Sequence, residues 1–129
     1  METYYFSTTL DASMDEARQQ VVDALQEKGF GVLTEINVAA TLKKKLDVDF
    51  RPYVILGACN PGFAHQALLA EDKIGTMLPC NVILQDAGNG RTEVAAVDPM
   101  ASMQAIENET LGTVASQVRE MLKSVIDAL

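Results

Sequence analysis

The stretch NVILQDAGNGRTEVAAV, residues 81–97, decides the fold. Its two ends, NVILQ at 81–85 and TEVAAV at 92–97, are strand-forming runs, and Gly88-Asn89-Gly90 between them supplies residues that adopt positive φ readily. This spacing predicts a tight hairpin. Upstream, Tyr53, Val54, Ile55 and Leu56 form a continuous apolar run suited to a central strand, introduced by Pro52. The run leads to Asn60, a good N-cap, and Pro61, whose missing N–H costs nothing at the first helical position, so a helix is expected to about Ala70. Downstream, Asp98-Pro99 repeats the cap-plus-proline start. Leu111, Val114, Val118, Met121, Val125 and Leu129 then share one stripe of a long C-terminal helix.

The N-terminal half completes the pattern. Tyr4, Phe6, Thr8 and Leu10 alternate with Thr3, Tyr5, Ser7 and Thr9 as a half-buried strand does. Ser13 and Glu16 have capping-box spacing, and Met14, Ala17, Val21 and Leu25 follow at helical intervals until Gly29. Phe30, Val32, Thr34, Ile36 and Val38 then return to period two as a second strand, and AATLKKKL at 39–46 reads as a short helix or irregular crossover. The uneven order β-α-β-β-β-β-α, with small helical insertions, favours an α+β two-layer sandwich over a regularly alternating parallel fold. The expectation is a single domain over residues 1–129 with a mainly antiparallel five-stranded sheet and helices on one face. The uncovered face must meet water, a ligand or a second subunit.

Composition narrows the function. Hydrophobic residues at 48% and charged residues at 22% fit a folded globular chain rather than a disordered one. No apolar run approaches the roughly 20 residues of a membrane span, and METYYFSTTLD lacks the basic start and apolar core of a signal peptide, so a cytoplasmic protein without a membrane partner is expected. With 18 acidic and 10 basic residues the net charge is -8, which opposes binding to phosphate backbones and makes nucleic acid an unexpected partner. GxGxxG, Walker, HExxH and GxSxG motifs are missing, so the best-marked nucleotide, metalloprotease and serine-hydrolase readings fall away. No cofactor is named by any motif.

Chemistry concentrates in ILGACNPGFAHQALLAEDKIGTMLPCNV, residues 55–82, which holds both cysteines and the only histidine. Cys59 falls at the end of one predicted strand and Cys80 at the start of the next. If those strands are antiparallel neighbours, both lie at one edge of the sheet. Cys59 also precedes a helix start, where the N–H groups of Gly62, Phe63 and Ala64 and the helix dipole would stabilise a thiolate or another anion. Against this stands the plain alternative that free cysteines are buried, small apolar side chains. A structural disulfide does not suit a reducing cytoplasm, and the spacing is not CxxC. Cys59, Cys80 and His65 would make three metal ligands, but neither number nor spacing matches a zinc signature, so no metal is expected. His65 reads as an exposed residue early in a helix, or as a base for a nearby thiol.

GACNPGFA at 57–64, IGTMLPCNV at 74–82 and DP at 98–99, preceded by FGVLTEINVAATLKKKL, resemble the uncharacterised family catalogued as domain of unknown function 302. The resemblance covers nearly the whole chain and implies a two-layer β-α-β-β-β-β-α fold and a homodimer, but no activity. Only the motif positions Cys59, Asn60, Pro61, Leu78, Pro79, Cys80 and Asn81 carry over as a candidate site.

Three further features bear on function. Lys43, Lys44, Lys45 and Arg51 fall within nine positions and would form either a small-anion patch or a solvated helix face. Glu35, opposite in phase to Ile36, is expected on the uncovered side of the sheet, where burial would raise its pKa. Met77, Met100 and Met103 could line a flexible pocket or fill core gaps. The leading reading is a small binding or accessory homodimer whose site, for a small anionic ligand, combines Asn60, Pro61, Gly62, Phe63, Pro79 and Asn81 at the Cys59/Cys80 edge. One rival is a thiol-dependent redox or sulfur-transfer enzyme with Cys59 as nucleophile, Cys80 as resolving thiol and His65 as base. The other is a purely structural subunit.

Overall fold

Alternation in β1 (Tyr5–Leu10) turns Phe6, Thr8 and Leu10 inward and leaves Tyr5, Ser7 and Thr9 exposed. The computed structural model, which describes residues 3–129, continues into α1 (Met14–Glu27). Ser13 Oγ accepts from the Glu16 N–H at 3.2 Å and donates to the Glu16 carboxylate at 3.0 Å, so the predicted cap is formed. Ala17, Val21 and Leu25 are the buried stripe of α1, and Gly29, at φ 82°, ends the turn after it. β2 (Gly31–Asn37), α2 (Val38–Leu46) and β3 (Tyr53–Cys59) follow. α3 (Pro61–Ala70) and a 3-10 turn (Ile74–Met77) lead to β4 (Cys80–Gly88) and β5 (Arg91–Val97). The chain closes with α4 (Pro99–Ser102) and α5 (Glu109–Asp127).

The five strands lie in the order β1-β5-β4-β3-β2, and every neighbouring pair is antiparallel. The hairpin predicted at 81–97 forms the middle of this sheet. Gly88 pairs with Arg91, leaving Asn89 (φ 57°) and Gly90 (φ 74°) as the two central residues of a turn that needs positive φ at both. α1 crosses β4 and β5, α5 crosses β5 and β1, and α3 packs on α5, so these helices share one face of the sheet. Between the layers, Leu56, Val82, Leu84 and Val94 meet Val21, Leu25, Leu111, Leu122 and Val125 in a buried core. Each such side chain contributes about 1.5–3 kcal/mol of hydrophobic stabilisation. Thr92, one of two buried polar side chains among the described residues, donates to the Ala12 carbonyl at 2.9 Å.

Two elements depart from the sequence expectation. β2 carries a bulge between Val32 and Thr34, so the pairing shifts by one residue there. Val32 still pairs with Ala58 on the helix side, whereas Thr34 opposite Gly57 and Ile36 opposite Ile55 lie on the open side. Glu35 therefore faces the helix layer, not the uncovered face. It is paired with Arg18 of α1, whose Nε donates to its carboxylate at 3.0 and 3.1 Å. That hydrogen bond lowers its pKa below the usual carboxylate range instead of raising it. β2 also ends at Asn37, which caps α2 by accepting from the Ala40 N–H at 2.9 Å, so Val38 begins a helix. At the other end, Asp98-Pro99 starts only the short α4, and Asn108 supplies a second cap for the long helix by accepting from the Leu111 N–H at 3.0 Å.

Candidate functional site

β3 ends at Cys59 and β4 begins at Cys80, with Ala58 directly opposite Cys80, so both cysteines do lie at one edge of the sheet. Alternation separates their side chains, however. Cys80 shares the phase of buried Val82 and Leu84, whereas Cys59 shares that of Ile55 and Gly57 on the open face. Both are free thiols, Cys80 buried and Cys59 half-buried. A disulfide needs Cβ atoms that face each other, and opposite phases do not provide that. Burial, and secondarily a charge on Cys59, pushes the Cys80 thiol from 9.0 up to about 11.

On the open side of this edge the chain crosses itself closely. A Cβ on Gly57 would collide with the Thr34 hydroxyl and stand 2.7 Å from Pro79 Cγ. Glycine at 57 is what lets β2 and the residue before β4 close over β3. At the start of α3, Asn60 Oδ1 accepts from the Phe63 N–H at 3.3 Å, and its Nδ2 lies 3.5 Å from the Lys28 carbonyl, tying the helix start to the turn after α1. Pro61 and Gly62 form the exposed outer part of this first turn, and His65 is exposed further along α3.

Beneath that turn is a cavity of about 40 Å³ between the strand ends, α3 and α5. Phe30, Phe63, Leu78, Cys80, Met103 and Leu111 line it, with Cys59, Asn60 and Pro79 where β3 passes into α3. The space suits a group of a few atoms, and its walls are almost wholly apolar. Of the residues grouped from sequence, Asn60, Phe63 and Pro79 therefore meet the cysteines at this cavity. Asn81 is exposed at an open-face position, and His65, Met77 and Met100 do not line the cavity.

The basic cluster is divided. Lys43 Nζ lies 3.1 Å from Asp47 and 3.3 Å from Asp49, and Lys44 and Lys45 are exposed in the last turn of α2, where cations suit the helix dipole. Arg51 instead lies over the Phe50 ring, 4.5 Å from its centre, and donates to Gln85 Oε1 at 2.8 Å.

A larger feature, absent from the sequence reading, occupies the open sheet face. Tyr4, Tyr5, Tyr53, Ile83, Glu93 and Ala95 border a shallow concavity of about 360 Å³ that also includes Asn81 and Gln85. The Arg51–Gln85 contact continues across it, because Gln85 Nε2 donates to Glu93 Oε1 at 2.7 Å. The sequence signal is the second phase of the hairpin, in which Ile83 and Ala95 supply an apolar pair away from the core.

Among the described residues, no three His, Cys, Asp or Glu side chains gather to hold a metal ion, and no helix is long and apolar enough to cross a membrane. The architecture is an α+β two-layer protein with one face of its antiparallel sheet left open. The family described as Domain of unknown function DUF302 matches residues 6–129, and the chain belongs to that family. It is similar to an uncharacterized conserved DUF302 protein from Bacillus stearothermophilus, known from a crystal structure, with 27% identity, a TM-score of 0.89 and 98% of each chain covered. No curated protein matches it.

Proposed function

We propose that this chain is a cytoplasmic binding or accessory subunit that works as a homodimer, with a second copy covering its open sheet face and a small ligand taken at the Cys59/Cys80 edge. The observation that carries the dimer is the one-sided layering. The packed helices leave Tyr5, Ile36, Tyr53, Ile55 and Ile83 on the other face, with Tyr5 at 39% and Ile36 at 48% exposure. A contiguous apolar face of this kind marks an interaction surface. Charge favours a second copy as its cover. In a chain of net charge -8 two copies repel, yet among the described residues Glu93 is the single acidic residue at an open-face strand position. The copies can meet there with the least like-charge opposition.

At the cysteine edge, support comes from the capped start of α3 beside the small apolar cavity. Anything larger than a few atoms would sit at the rim, against Asn60, Pro61, Gly62 and Pro79. The thiol-enzyme alternative draws less support, because Cys80 is buried with a thiol near 11 and exposed His65 does not line the cavity. Light scattering after size-exclusion chromatography tests the dimer: wild type should elute at twice 14.0 kDa and Ile83→Asp at 14.0 kDa. A wild type of 14.0 kDa at all concentrations up to about 1 mM would overturn it, that being the weak end of specific affinity.

A further inference from the structure

The open-face concavity combines features that a dimer surface alone does not require. Its floor is apolar, from Ile83 and Ala95, and the rings of Tyr5 and Tyr53 stand among its walls. Its volume of about 360 Å³ falls in the size range of small-molecule pockets. Glu93 is the only ionisable acid or base other than tyrosine that lines it, among the described residues.

That carboxylate is held in place. Phe50 and Tyr53 carry the Arg51 guanidinium at 4.5 and 5.8 Å, Arg51 fixes the Gln85 amide oxygen, and the Gln85 amide nitrogen then donates to Glu93 Oε1. The direction of this chain is set at its Arg51 end, because a guanidinium only donates. Glu93 Oε2 receives no donor among the described residues, so one acceptor of a residue that lines the concavity is left open. Covering the face with a second copy would also take this half-buried carboxylate out of water with one hydrogen bond, which is costly unless another donor or a cation joins it.

We infer that the concavity is a binding site for a flat aromatic ring bearing an amidino group, its ring on Ile83 between the tyrosines and its N–H on Glu93. A cationic N–H donor satisfies the open carboxylate oxygen, and the chain's net charge of -8 attracts it. The tyrosine faces suit both the ring and the charge. The site rests on the dimer reading for its roof, since a second copy would close the concavity from above. Neither the cysteine edge nor the lysines of α2 take part.

Benzamidine is the probe, titrated into isotope-labelled protein while amide shifts are followed by NMR. The expected result is saturable shifts at Ile83, Gln85, Glu93 and Ala95, with at least tenfold weaker binding in Glu93→Gln and none for benzoate. Glu93→Gln keeps an oxygen for Gln85 to donate to, so the relay and the fold are retained. Shifts scattered over the acidic surface, an unchanged affinity in Glu93→Gln, or no binding would each overturn the site. Sedimentation equilibrium on the same samples separates the two claims. Glu93-dependent binding by a 14.0 kDa monomer removes the roof and keeps the site, whereas a dimer that ignores benzamidine removes the site and keeps the dimer.

Discussion

The two faces of the sheet come from the same strands, one residue apart, and they differ in nearly every respect. On the helix side, Leu56, Val82, Leu84 and Val94 are at most 1% exposed and meet the stripes of α1 and α5. On the open side, Tyr53, Ile55, Ile83, Glu93 and Ala95 are only half-buried, although several are as apolar as their inward neighbours. Apolar content alone therefore does not distinguish core from surface in this protein. What distinguishes them is whether the chain supplies its own cover. The covered face holds the fold together, and the uncovered one leaves apolar side chains half-exposed.

Leu84→Ala should cost about 2–5 kcal/mol in urea unfolding, as large-to-small core changes do. Ile83→Ala, one residue away, should cost under about 1.5 kcal/mol when measured dilute enough to keep the protein monomeric, because less area leaves water on folding. Equal losses would mean that the open face already belongs to the core.

Cys80 sharpens the contrast between the cysteine phases. Its folded pKa of about 11 lies above the value of 9.0 for a free thiol, so the folded state binds the proton more tightly. Between pH 9 and 11 the unfolded state holds fewer protons than the native one, and stability must fall as pH rises. The expected loss is about 2–3 kcal/mol across that interval, and Cys80→Ala should flatten it. Urea midpoints at several pH values check this; a slope that survives in Cys80→Ala would assign it to other groups. Gly57→Ala should destabilise by about 1–3 kcal/mol, since Thr34 and Pro79 must move to admit a methyl group. Gly31→Ala is its control, because no atom lies within 4 Å of a Cβ built there.

Much of the fold was legible because local chemistry agreed with the final arrangement. The Ser13–Glu16 cap, the turn at Asn89-Gly90 and the Asn60-Pro61 helix start each depend on a few adjacent residues, and each formed as the sequence predicts. The placement of both cysteines at one edge also followed from strand order. The bulge in β2 was not legible. Nothing in GVLTEIN marks Leu33 as the extra residue, and that single insertion moves Glu35 from the expected open face to Arg18. Long-range contacts were equally hidden, including the Arg51–Gln85 bond that ties the residues before β3 to the hairpin, whereas the Gln85–Glu93 bond joins register partners within that hairpin. Pattern reading found the residues of the cysteine edge, but the phase difference between Cys59 and Cys80 needed the register of β3 on β4.

If the open sheet face meets a second copy of the chain, contacts between copies must run through its strand residues. The most direct test mixes 13C-labelled and unlabelled protein and records isotope-filtered NOEs, which report only contacts between copies. Cross-peaks from the methyl groups of Ile36, Ile55 and Ile83 are the predicted result. Intermolecular cross-peaks confined to α3 or α5, or none in a sample concentrated enough for NMR, would contradict it.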